Sequence, residues 1–138
     1  MRPVLLDTGF IVALLNKSDA SHILCCRIHD SLDRRFVTCE AVIVESCYLL
    51  RNAPGAIETI LQNVAEGILE IPFRLSASAA QVRALLEKYR DLPASLADVS
   101  LVQMADELDL ADILTLDRHF LHYRWRRNRA FNLLIPLE

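Results

Sequence analysis

The 138 residues, 53% of them hydrophobic, can bury a substantial core and are expected to form one domain spanning 1–138. No apolar run approaches the roughly 18 to 20 residues of a membrane-spanning helix, and Met1-Arg2-Pro3 leads straight into Val4-Leu5-Leu6 without the cleavage pattern of a secretory leader, so a soluble, cytoplasmic protein with no membrane partner is expected. A net charge of -3 argues against a globally basic nucleic-acid binder, yet five of the fifteen Lys and Arg residues fall between Arg118 and Arg129.

Val4 to Leu6 reads as a short buried strand, and Thr8-Gly9 leads into an apolar helical turn from Phe10 to Leu15. Asp19-Ala20-Ser21-His22 opens a second helix through Ile23, Cys26 and Ile28, with Asp19 or Ser21 as its cap. Phe36-Val37-Thr38 is a second strand, and Ala41 to Leu50 is apolar enough for a largely buried helix. Ala53-Pro54-Gly55 breaks the chain before a helix from Ile57 to about Ala65. Leu69-Glu70-Ile71 is a minimal strand stopped by Pro72, and helical spacing returns over Ala77 to Tyr89 and Ser95 to Leu108. Ile113 to Leu116 is a strand, an Arg-rich connection follows, and Phe131 to Ile135 is the last strand. Cys25, Cys26, Cys39 and Cys47 have no zinc-ligand spacing and read as reduced core residues.

Short apolar strands alternating with longer helices are the pattern of an α/β layer fold around a buried parallel sheet, whose ligands bind outside the carboxyl ends of the strands. Asp7 follows the first strand and Asp117 the fourth, so both project over one edge. Glu45 lies within the apolar segment Ala41 to Leu50, where a lone ionised carboxylate needs a partner, a cleft or a cation. Asp98 sits among Leu96, Ala97, Val99, Leu101 and Val102 at a helix start. Crowded carboxylates repel one another unless something positive lies between them, and a hard divalent cation is the simplest answer. Such a site activates water and stabilises the attacking and leaving oxygens in phosphodiester cleavage. Each acid also has an ordinary reading: Asp98 in a Ser95-x-x-Asp98 capping box, Asp7 and Asp117 as turn or cap residues, and Glu45 paired with Arg51 or Arg118.

The segments LLDTGFIVALL (5–15), VTCEAVIVESCYLL (37–50), LPASLADVSLVQMA (92–105) and ILTLDRHF (113–120) resemble the PIN-domain ribonucleases, most closely the VapC-type toxins and their unlinked relatives. The blocks occur in that family's order and nearly span the chain. The resemblance implies a three-layer α/β/α sandwich with a central parallel sheet of about five strands, and endonucleolytic cleavage of RNA with Mg2+ or Mn2+ as cofactor. It implies Asp7, Glu45, Asp98 and Asp117 as the catalytic and metal-holding acids, with Thr8 and Thr115 in support. It also implies an antitoxin protein covering the acidic groove and a homodimer, through a face such as Ile57, Ile60, Leu61 and Val64, although that stripe equally fits a core. Two positions depart from the family. His119 stands where many relatives carry a second acid, which either weakens a second metal site or puts a phosphate contact there; Ala94 replaces a frequent methionine. Glu40 rivals Glu45 but aligns less well with the family's block.

In RHFLHYRWRRNR (118–129), Arg118, Arg124, Arg126 and Arg127 suit phosphate, while His119 and Trp125 suit phosphate and base contact, so these six are the expected RNA-binding residues. The alternative is a solvated loop with Trp125 tucked against the core. An aspartyl phosphatase is disfavoured because Gly9 occupies the second acid position of a D-x-D arrangement, and a receiver domain because the only lysines are Lys17 and Lys88. A PIN-like scaffold that binds RNA or protein without cutting is the remaining alternative.

Overall fold

Val4–Leu6 forms β1, and all three residues are buried, as a strand covered on both faces requires. The computed structural model describes residues 2–137. After β1 come α1 (Thr8–Leu15), α2 (His22–Ser31), β2 (Phe36–Val37), α3 (Glu40–Leu49) and α4 (Ala56–Ala65). The chain continues through β3 (Leu69–Glu70), α5 (Leu75–Lys88), α6 (Leu96–Leu108) and β4 (Asp112–Leu114). A short 3-10 helix (Arg118–Leu121) then leads to β5 (Arg124–Trp125), β6 (Arg129–Ala130) and β7 (Asn132–Leu133).

Five strands form a parallel sheet in the order β3-β2-β1-β4-β7, and the helices complete the three-layer α/β/α sandwich. Leu5 of β1 pairs with Val37 on one side and Ile113 on the other, so the most apolar strand lies at the centre. From β1 the chain steps outward to β2 and β3, then crosses back to place β4 on the opposite side of β1. The strand order therefore reverses between β1 and β4, and it is outside the carboxyl ends of such a pair that a crevice opens. Residues 7 and 115–117 stand at that point.

Several boundaries differ from the sequence reading for local reasons. α1 begins at Thr8 rather than Phe10, because Asp7 accepts from the Thr8 N–H and caps the helix. α3 is half-exposed rather than largely buried: Val42, Ile43 and Ser46 face inward, while the apolar Val44, Tyr48 and Leu49 are 69%, 63% and 52% exposed. The last strand shrinks to Asn132–Leu133. The Arg-rich connection contains an unexpected antiparallel hairpin of β5 and β6. Its turn holds Arg126 and Arg127 at φ 42° and 72°, a conformation arginine seldom adopts. The end of α6 holds it there: the Asp106 carboxylate accepts from the Arg126 N–H, and Asp109 pairs with the Arg126 guanidinium at 2.9 Å.

Among the described residues, no helix is long and apolar enough to cross a membrane. All four cysteines are free; Cys25 and Cys39 are buried, and Cys26 and Cys47 are half-buried.

Candidate active site

Each of three acids in the crevice takes part in capping a helix. Asp7 caps α1, Asp117 caps the 3-10 helix by accepting from the His119 N–H, and Asp98 completes a capping box with Ser95 at the start of α6. Cap and site are thus not competing readings of these aspartates. A carboxylate fixed at a helix start has few rotamers left, and the three starts converge. Asp7, Asp98 and Asp117 each offer a carboxylate oxygen within 4.8 Å of the others.

In Asp98 and Asp117 the hydrogen bonds divide the carboxylate into a held oxygen and a presented one. Oδ2 of Asp98 accepts from the Ser95 N–H at 3.0 Å and from the Tyr123 hydroxyl at 3.2 Å. Its Oδ1 has no protein donor among the described residues. Oδ1 of Asp117 takes the His119 N–H at 2.9 Å, with the His119 ring Nδ1 at 3.3 Å, and Oδ2 is left open in the same way. Asp7 is the most tightly held: Thr8 N–H donates to Oδ1 at 2.8 Å and the Thr115 hydroxyl to Oδ2 at 2.6 Å. The Thr115 oxygen also accepts from the Asp117 N–H at 3.0 Å, so one buried hydroxyl ties two of the acids together. Thr8 has the opposite character, for its buried hydroxyl has no partner among the described residues although the residue lines the cavity.

The electrostatics record the crowding. Burial, then the charges of Asp98 and Asp117, push the Asp7 carboxyl up to about 7 against the hydrogen bonds from Thr115 and Thr8. Burial first, and Asp117 after it, also raise Asp98, opposed by its bonds to Ser95 and Tyr123. Burial and the neighbouring Asp98 push the Tyr123 phenol far above the ordinary tyrosine range, so it remains a donor at any physiological pH.

Glu45 lines the same cavity, of about 340 Å³, but stands outside the three-acid cluster. Contrary to the sequence reading it is exposed rather than buried, because it lies on the solvent side of α3. It forms no ion pair among the described residues, so neither Arg51 nor Arg118 neutralises it. Glu40 is exposed at the first turn of α3 and does not line the cavity.

The donor set fits a hard divalent cation. All the converging groups are oxygens, and their mutual repulsion is uncompensated.

The arginine stretch is less uniform than its sequence suggests. Trp125 is only 5% exposed and its indole N–H donates to the Ala130 carbonyl, so the ring packs on the protein instead of offering a face to a base. The guanidinium of Arg124 donates to the carbonyls of Leu121 and Tyr123, and Arg126 is held by Asp109. Arg118 and Arg127 are exposed, and His119 leans on Asp117. Sequence reasoning missed Tyr123. It lay in a basic, aromatic run that reads as solvent-facing, but it is fully buried, edge-on to Tyr89 and Phe120.

Comparison with known proteins places this geometry in a family. The PIN-domain family model matches residues 4–126. Ribonuclease VapC26 of Mycobacterium tuberculosis is 29% identical over 120 residues, covering 85% of this chain and 89% of its own. The crystal structure of M. tuberculosis VapC20, a sarcin-ricin loop cleaving toxin, shares the fold with a TM-score of 0.76 at 20% identity, over 83% of this chain and 90% of that one. The family match runs from β1 through every capped acid to the first strand of the hairpin, and the chain belongs to the PIN-domain family.

Proposed function

We propose that this chain is a single-domain, metal-dependent endoribonuclease that hydrolyses RNA phosphodiester bonds, with Asp7, Glu45, Asp98 and Asp117 as its catalytic and metal-holding acids. The observation that carries the reading is the convergence of three carboxylates within 4.8 Å at the strand-order reversal. The name of VapC26, a ribonuclease, supports the same substrate class.

Asp7, Asp98 and Asp117 would hold Mg2+ or Mn2+, with Glu45 at the rim. When bound, the cation neutralises the acids, polarises the phosphate and makes water a better nucleophile. The protein's own part is placement. Thr115 fixes Asp7 and, through the Asp117 N–H, the turn that carries Asp117. Ser95 and Tyr123 hold Oδ2 of Asp98 and turn Oδ1 toward the cavity. Thr8 supports the site through its N–H, which holds Oδ1 of Asp7. Glu45, exposed and free of an ion pair among the described residues, takes up the proton that the attacking water loses. No histidine base and no covalent intermediate are required.

Arg118 and His119 on the 3-10 helix and Arg127 in the hairpin turn supply the phosphate contacts at the approach, while Arg124, Arg126 and Trp125 shape the hairpin. The protein acts in the cytoplasm as the toxin of a toxin-antitoxin pair, restrained by an antitoxin over the acidic groove. It pairs as a homodimer through α4, where Leu61 is 54% exposed beside half-buried Ile57 and Val64.

Purified protein incubated with a mixed set of RNAs should cut in Mg2+ or Mn2+ and stop in EDTA. Cutting that survives EDTA, or no cutting with either metal, would overturn the proposal; the latter would favour a binding scaffold, for which His119 in place of a second acid is the supporting feature.

A further inference from the structure

The groove does not end at the acids. A second cavity, of about 560 Å³, adjoins the first, and Leu49 lines both. It opens where two helices finish. Leu15 and Asn16 come from the end of α1, Lys17 follows them, and Leu49, Asn52 and Pro54 come from the end of α3 and the loop beyond it.

Its chemistry is unlike that of the acid pocket. Among the described residues, no carboxylate lines it. Leu15, Leu49 and Pro54 offer apolar faces, and Asn16, Lys17 and Asn52 offer hydrogen bonds. Oδ1 of Asn16 accepts from the Ser18 N–H at 3.1 Å, which leaves the amide NH2 as a donor. The side chains of Lys17 and Asn52 make no hydrogen bond or ion pair among the described residues. Apolar walls with a few uncommitted polar groups are the usual construction of a small-ligand site.

Charge selects the kind of ligand. α1 and α3 both end here, and a helix C-terminus carries the negative end of its dipole. With the aspartates next door, the floor of the cavity repels a phosphate, and the single cation, Lys17, is exposed at its edge. A flat, neutral group with hydrogen-bonding edges, adjacent to a phosphate held elsewhere, satisfies both conditions.

We propose that this cavity is the base-binding subsite of the RNA substrate. It takes the nucleobase of the nucleotide beside the scissile phosphate, with Leu49 and Pro54 against the ring face, Asn16 and Asn52 reading the edge, and Lys17 meeting the next phosphate outward. The proposal rests on the ribonuclease reading for its ligand class. It assigns the choice of cleavage site to two amides that lie outside the acid cluster.

The four uncharged nucleosides, titrated into metal-free protein and followed by backbone amide NMR shifts, test the subsite without any need for cleavage. The expected result is that signals from residues 15–18 and 49–53 move first. One nucleoside should bind at least about fivefold tighter than the rest, and Asn52→Leu should cut that preference to within about twofold. In the cleavage assay, the same variant should flatten the base preference beside the cut, while Lys17→Ala weakens all sites alike. The subsite is overturned if no nucleoside moves these amides at millimolar concentration, or if Asn52→Leu keeps the wild-type order of affinities. Nucleosides binding here without RNA cleavage would sink the ribonuclease reading and leave the subsite; cleavage without base binding here would do the reverse.

Discussion

The hydroxyl of Tyr123, fully buried on the far side of the 3-10 helix, donates to the same Asp98 oxygen that caps α6, at 3.2 Å. That bond makes the hairpin region part of the acid site. Tyr123→Phe keeps the ring against Tyr89 and Phe120 and removes only the donor. It should lower stability by about 1–2 kcal/mol and reduce cleavage about three- to tenfold, mainly by raising the metal concentration needed. Metal titrations of activity beside urea denaturation check both; unchanged metal dependence would show that the bond only packs the hairpin.

Thr115 is the narrowest link in the site. Thr115→Val is close in shape but leaves buried Asp7 without its 2.6 Å donor and the half-buried Asp117 N–H without its acceptor. A loss of about 2 kcal/mol or more is expected, since a stranded buried polar group costs more than the bond it made. Activity should fall at least about tenfold, and Thr115→Ser should recover most of both losses.

The raised Asp7 carboxyl gives a pH signature. Unfolded, Asp7 loses its proton near 3.8; folded, it keeps it to about 7. Between those values the native state binds more protons than the unfolded chain, so stability falls as pH rises through this window. Asp98, also raised, adds to the same slope. In EDTA, the urea midpoint should be lower near pH 8 than near pH 5, and Asp7→Asn should flatten most of the difference. Mg2+ should oppose the trend, because a cation binds the deprotonated carboxylate and releases its proton.

An acid outside the cavity serves as the control. Asp112 pairs with Arg34 at 2.7 Å and accepts from the Asn132 amide at 2.7 Å, which joins β4 to β7 and to the chain before β2. Burial tends to raise this carboxyl, but those two partners outweigh it and hold it below the ordinary range. Asp112→Asn should therefore destabilise the fold by about 1–2 kcal/mol and leave cleavage per folded molecule unchanged.

How much of this was legible in the sequence follows from the range of the forces involved. The apolar triplet at Val4–Leu6, the capping box at Ser95 and Asp98, and Asp7 directly after its strand are local signals that appear where they were expected, whereas β4 ends at Leu114 and Asp117 follows it only after Thr115 and Leu116. The convergence of Asp7 and Asp117 was readable because a parallel sheet puts all its carboxyl ends on one edge. The β5–β6 hairpin was not, since its turn contains no glycine, and arginines at positive φ are held there by Asp106 and Asp109 from another element. Trp125 stayed open between RNA contact and the core, and Tyr123 stayed unassigned, for the same reason. Among neighbours so rich in charge, nothing local distinguishes an aromatic that packs inward from one that faces RNA. Glu45 shows the reverse error, because apolar neighbours suggested burial while the helix turned those neighbours, Val44 and Tyr48, to the surface with it.

Cleavage of RNA by Asp98→Asn, compared with wild type and Asp112→Asn in saturating Mg2+, tests the central claim most directly. Asn can still accept at the cap, so the fold should survive while the charge that Oδ1 presents is lost. The account predicts at least about a hundredfold loss of cleavage for Asp98→Asn and none for Asp112→Asn. Full metal-stimulated cleavage by Asp98→Asn would contradict it.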